Sequence, residues 1–192
     1  MIKLFFSICI CLCLSAHMWA QTTIQAKAPE AKAYCSQNKL NTNYCILIDM
    51  SIHSGKYRMF VWDFNQNKVV LQSLCAHGVG LGSTQETPVF SNTPGSYCTS
   101  VGKYKTGLRA YSNYGIHVHY KLHGLESTNS NAYKRIVVLH SYAYVPEQEI
   151  YPEHLPLGYS LGCPVISNSS MIYIDSLLKK TTVPLLVWIY ED

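Results

Sequence analysis

The sequence predicts a mainly β domain with mixed β-sheets and one clear helix near its C-terminus. Three observations carry this expectation. Short apolar runs recur from Tyr44 to Tyr190, some with strict alternation, and turn-forming residues separate them; only Met171 to Lys180 repeats apolar residues at helical spacing. The chain of 192 residues is long enough for one domain and too short for a second independent core. Hydrophobic residues at 48% and charged residues at 14% exclude a disordered chain.

In chain order, Lys3, the apolar stretch Leu4 to Leu14 and the small residues around Ala16 to Ala20 read as an export leader over residues 1–20, cut before Gln21. Residues 21–43 are rich in Ala, Gln, Lys and Asn without an apolar period, and are expected to be a tether; residues 44–192 then form the domain. Strands are expected at Tyr44 to Asp49, Tyr57 to Asp63 and Lys68 to Ala76, with a hairpin turn at Asn65, Gln66 and Asn67. The glycines and prolines of residues 78–98 predict a long loop. Ile116, Val118, Tyr120 and Leu122 alternate with His117, His119, Lys121 and His123, as in a half-exposed strand. Arg135 to His140 is a short β-branched run expected to be a strand buried on both sides. Ser141 to Gly158 contains Pro146, Pro152 and Pro156 and is expected to be a loop. Val183 to Tyr190 closes the chain as a strand.

A net charge of +4, thinly spread, leaves no footprint for nucleic acid. No stretch after the leader reaches the ~20 apolar residues of a membrane span. Export to the periplasm or cell envelope is therefore expected. Of eight cysteines, Cys9, Cys11 and Cys13 leave with the leader, so Cys35, Cys45, Cys75, Cys98 and Cys163 remain. An odd number in an oxidising compartment implies a leftover thiol.

Gly158-Tyr159-Ser160-Leu161-Gly162-Cys163-Pro164-Val165 places one cysteine in a glycine-flanked turn. Such a turn supplies exposure, unusual dihedrals and nearby backbone donors, which a nucleophile needs. His140 ends the run Arg135 to His140, and strand ends are where rigid scaffolds project bases. The bland alternative is an inert buried thiol and a strand-terminal polar residue. His117, His119 and His123 offer a zinc reading, but Lys121 on the same face would repel a cation, and a solvated polar face is the alternative. Glu147, Glu149 and Glu153 give no defined carboxylate separation for glycosidase chemistry. The fifteen tyrosines read either as a sugar-binding surface or as core and strand residues.

Collinear landmarks extend these readings from about residue 44 to 168. They include Ile48-Asp49-Met50-Ser51, Phe60-Val61-Trp62-Asp63, Ala76-His77-Gly78, Phe90 to Ser96, Val101 to Gly107, Gly124-Leu125-Glu126, Asn131-Ala132 and Tyr144-Val145, besides Ser160-Leu161-Gly162-Cys163-Pro164. In these the chain resembles the murein L,D-transpeptidase catalytic domain of the YkuD-like superfamily, in the branch whose motif reads Ser-x-Gly-Cys-Pro. The resemblance implies that Cys163 is the nucleophile and His140 the general base. Ser160 and Gly162 would shape the turn, and Ser141 would orient the imidazole through its carbonyl. It further implies substrate contacts at His77, Asn92 and Tyr144. Two positions depart from the family pattern: Ser141 stands where glycine is usual, and Gly158 where an arginine is frequent.

The implied reaction is acyl transfer from a peptidoglycan stem tetrapeptide through a Cys163 thioester, with release of D-alanine and no metal or organic cofactor. With water as acceptor the same site would be an L,D-carboxypeptidase. The rivals are a non-catalytic wall-binding module and a zinc hydrolase. In an oxidising envelope a catalytic Cys163 must stay reduced, so the other four cysteines are expected to pair, with Cys35–Cys45 and Cys75–Cys98 one of three possible connectivities.

Overall fold

The structure, a computed structural model, describes residues 23–191. The expected leader over residues 1–20 lies outside them. One mixed sheet of eight strands organises the domain: β1 (Tyr44–Asp49), β2 (Met59–Asp63), β3 (Lys68–Ser73), β4 (Gly102–Tyr111), β5 (Val118–Gly124), β6 (Val138–Ser141), β7 (Val165–Ile166) and β8 (Leu186–Tyr190). Their order across the sheet is β3-β2-β1-β8-β4-β5-β6-β7. The pairs β1·β8 and β6·β7 are parallel and the others antiparallel.

Helix α2 (Asn168–Leu178) covers one face, and helix α1, residues 23–37, covers the other. The central strands are apolar on both sides because each has a helix to bury against. Ile46 and Ile48 of β1, Val187 and Ile189 of β8, and Val118, Tyr120 and Leu122 of β5 meet Met171, Ile174 and Leu178 of α2. The alternate residues Cys45, Leu47, Leu186 and Trp188 meet Ile24, Ala28, Ala31 and Cys35 of α1. Ser167 caps α2 by accepting from the Ser170 amide. Asp175 then ties the helix to the sheet through Arg109 of β4 at 2.7 Å and the Tyr120 hydroxyl of β5 at 2.7 Å.

Residues 23–37 are therefore a helix and part of the core, where the composition predicted a tether. Ile24, Ala28, Ala31 and Cys35 keep helical spacing, but small residues among lysines and glutamines give a weak apolar signal. Pro29 is tolerated within it because it lies on the exposed face, and Gln25, which loses its partner amide, is exposed too. The run Arg135 to His140 is also only half a strand. Arg135 to Val137 form a turn in which Ile136 takes a left-handed φ of 59°, and pairing begins at Val138. The ten residues of β4, whose outer half is exposed, were unassigned by alternation.

The expected disulfides are not formed: Cys35, Cys45, Cys75, Cys98 and Cys163 are all free thiols. Cys75 Sγ donates weakly to the Ala76 carbonyl at 3.7 Å, and Cys98 Sγ to that of Ser96 at 3.4 Å. Cys35 and Cys45 share the apolar cluster beneath α1, and burial pushes the Cys35 thiol up to about 11.

Candidate active site

Parallel pairing of β6 with β7 sets His140 directly across from Val165. Cys163 stands two residues before Val165, so the sheet itself brings the cysteine alongside β6. There the Val138 amide donates to Cys163 Sγ at 3.4 Å, while Sγ lies 3.9 Å from the Ile136 carbonyl. His140 and Cys163 line one cavity of about 590 Å³ at this end of the sheet. Ser160, His119 and Arg135 share its wall, and exposed tyrosines, including Tyr97 and Tyr114, form its rim.

The turn that presents Cys163 is built by its own motif. Ser160 Oγ accepts from the Gly162 amide at 2.9 Å and donates to the Cys163 carbonyl at 2.6 Å. Gly162 has φ +111°, and a Cβ there would lie 2.5 Å from the Cys98 carbonyl oxygen, so only glycine fits. Its amide is committed to Ser160, which removes it as a donor to a substrate oxyanion. Arg135 secures the opposing loop: its terminal nitrogens donate to the carbonyls of Ser91 at 2.8 Å and Cys98 at 2.5 Å and to the Ser100 hydroxyl.

Ser141 retains the role that its backbone allows, since its carbonyl oxygen lies 3.0 Å from His140 Nδ1. Its hydroxyl faces away and accepts from the Ile116 amide at 3.1 Å. Burial pulls His140 below its ordinary value, nearby His119 adds to this, and the Ser141 carbonyl opposes it. Burial pushes the Cys163 thiol up, against the weaker pull of the Val138 amide, Arg135 and Lys121. Both shifts favour the uncharged forms, a thiol and a neutral imidazole, in the wall of the same cavity.

The remaining sequence candidates lie elsewhere. His77 is buried between the Arg58 guanidinium, 2.9 Å from Nδ1, and the Thr84 carbonyl, 2.7 Å from Nε2. Arg58 must donate there, so Nδ1 accepts and Nε2 carries the proton. Burial and Arg58 push His77 down to about 4. Asn92 braces the 127–131 loop through the Ser127 carbonyl at 2.8 Å and the Asn131 amide at 3.0 Å. Tyr144 is exposed and touches Tyr142 edge-on. None of the three lines the cavity. The histidines of the alternating strand also part ways: His117 stacks on Tyr111, His123 stacks on Tyr133, and His119 turns into the cavity wall. Arg135 and Val138 stand among the family landmarks as Arg135-Ile136-Val137-Val138, but their contacts at the site carry no sequence signal, since one is made by a backbone amide and the other bonds carbonyls distant in sequence.

A mixed sheet covered by a helix on each face, with a thiol from the turn before β7 and an imidazole from β6 in the wall of one cavity, makes a β-sheet domain with a cysteine and a histidine at one candidate site. The chain matches the family YkuD_2, L,D-transpeptidase catalytic domain, over residues 16–190, and it belongs to that family. Among solved structures it is similar to an L,D-transpeptidase from Xylanimonas cellulosilytica DSM 15894, with TM-score 0.46 and 12% identity over 77% of this chain and 60% of that one. It is also similar to the helical cell shape determining protein Pgp2 from Campylobacter jejuni, with TM-score 0.50 and 13% identity over 78% of this chain and 48% of that one. The fold is shared with Pgp2, and this chain spans about half of that protein's length. No curated protein matches the chain.

Proposed function

We propose that the protein is an exported cysteine acyltransferase that acts on peptidoglycan stem peptides, with Cys163 as nucleophile and His140 as base. The observation that carries this reading is the placement of a carbonyl-oriented imidazole and a turn-presented thiol in the wall of one cavity. His140 Nε2 takes the thiol proton as sulfur attacks the carbonyl of the third, L-configured centre of a tetrapeptide. The S–C bond forms, the amide C–N bond breaks, and the proton passes to the leaving nitrogen of D-alanine. An acceptor amine then displaces sulfur and closes a cross-link. The neutral resting pair fits a proton that moves with the attack rather than before it.

The test is incubation of the mature protein with purified disaccharide-tetrapeptides, with products and enzyme read by mass. The expected result is a covalent adduct on the wild type, release of D-alanine and cross-linked dimers. An adduct that persists in Cys163→Ala refutes the nucleophile, and tripeptide without dimer makes the enzyme an L,D-carboxypeptidase.

A further inference from the structure

We infer that His119 is a second proton acceptor of the cavity and serves the incoming acceptor amine, whereas His140 serves the thiol. The inference rests on the reading of Cys163 as an acylated nucleophile. Three observations point to His119. It sits directly opposite His140 in the antiparallel pairing of β5 with β6. It lines the same cavity as Cys163. Its Nε2 is buried and, among the described residues, has no hydrogen-bond partner. Folded proteins rarely leave such an atom unpaired, and a catalytic role is one of the reasons for an exception. Catalytic contacts of this kind often close only when substrate is bound.

The proton count of the second half-reaction supplies that use. Near neutral pH an acceptor such as a lysine-like amine arrives as R–NH3+ and ends as an amide N–H, so it gives up two protons. One returns to sulfur through His140 as the thioester C–S bond breaks and the thiol re-forms. The other needs a separate acceptor, which passes it to solvent. Hydrolysis makes no such demand, because the single proton shed by water during attack is the one that sulfur regains. A second imidazole therefore favours aminolysis over hydrolysis.

The surroundings of His119 keep it ready to accept. Burial and the Lys121 ammonium on its own strand hold it below its ordinary value, and the Tyr111 carbonyl of β4 opposes them. His140 faces it from β6, and the other titratable or charged side chains that line the cavity are Arg135, Cys163, Tyr97, Tyr111, Tyr114, Tyr142 and Tyr159.

The experiment compares wild type, His119→Gln and His119→Asn. Both variants keep a polar side chain that takes up no proton. Each is acylated with disaccharide-tetrapeptide, and the thioester is partitioned between water and either Nα-acetyl-lysine or hydroxylamine, an amine that is neutral at pH 7. The expected variants acylate within a few-fold of wild type, but their ratio of aminolysis to hydrolysis falls roughly 100-fold with Nα-acetyl-lysine. The ratio should be unchanged with hydroxylamine, and the lysine defect should shrink as pH rises toward the amine's own pKa. Equal partition in variant and wild type, or parallel losses with both amines, overturns the role of His119. Thermal melts identify a variant that fails to fold, in which case the wild-type pH dependence decides: without a second base the rate with Nα-acetyl-lysine climbs with its free-amine fraction up to the amine's own pKa, whereas with one it levels off near neutral pH, as it does with hydroxylamine. A wild type that never becomes acylated overturns the reading of Cys163 itself.

Discussion

The ring of His140 donates from Nδ1 to the carbonyl oxygen of Ser141 across 3.0 Å. A carbonyl only accepts, so Nδ1 holds the proton and Nε2 is left as the basic nitrogen. The orientation that glycine usually provides in the family is thus kept by a serine, through the one group that the two residues share.

His140→Ala should slow acylation of Cys163 by about 10²- to 10⁴-fold at pH 7 without loss of fold. His140 lies below its ordinary 6.5 and Cys163 above 9.0, so the wild-type rate should be flat between these values and fall only below the first. The variant, left with thiolate alone, should instead gain rate steadily as pH rises through 9. Adduct formation followed by intact mass across pH 5 to 10 checks both profiles; a flat profile in the variant would make His140 structural.

Gly162→Ala should disable the turn. Its φ of +111° and the Cys98 oxygen 2.5 Å from a new Cβ force the loop or the turn to move, at about 1–3 kcal/mol. A lowered melting temperature and slower adduct formation are expected together. Unchanged values of both would show that the turn is looser than its geometry states.

His77 gives the fold a pH dependence of definite sign. Its folded-state value of about 4 lies below the ordinary 6.5, so the unfolded chain binds the extra proton between them. The stability contribution is complete above pH 6.5 and is lost as pH falls toward 4, at up to about 1.4 kcal/mol per pH unit. Denaturant titrations should show that slope in wild type and a shallower one in His77→Gln. Acylation should be retained by folded His77→Gln, since His77 lies outside the cavity.

Five thiols should be countable within residues 23–191. Alkylation of the native protein should modify Cys163 first, and denaturation without reductant should release Cys35, Cys45, Cys75 and Cys98 as well. A single labelled site after denaturation would restore two disulfides.

Much of the fold was legible because the relevant signals are short-ranged. The alternation from Val118 to Leu122 and the apolar runs of β1 and β8 encode burial directly, and Ser160-Leu161-Gly162-Cys163 encodes its own turn. Other features depend on partners distant in sequence. Helix α1 is stabilised by Leu47 and Trp188, not by strong amphipathicity of its own. His77 is fixed by Arg58, nineteen residues away, a contact that its motif position alone does not disclose. Asn92 is likewise spent on residues 127–131. His119 looked like part of a solvated face because alternation tells which side of a strand a residue takes, and not what covers that side.

The last strand in the sequence occupies the middle of the sheet. β8 lies between β1 and β4 and is the only strand that joins β1–β3 to β4–β7 across the sheet among the described residues; the one backbone bridge around it is Ala76 to Val165. Until Leu186 to Tyr190 are available, the nascent domain consists of two partial sheets with apolar faces and unpaired edges. Assembly is therefore controlled from the C-terminus, and a chain truncated before Leu186 should collapse or aggregate rather than fold into a smaller working unit.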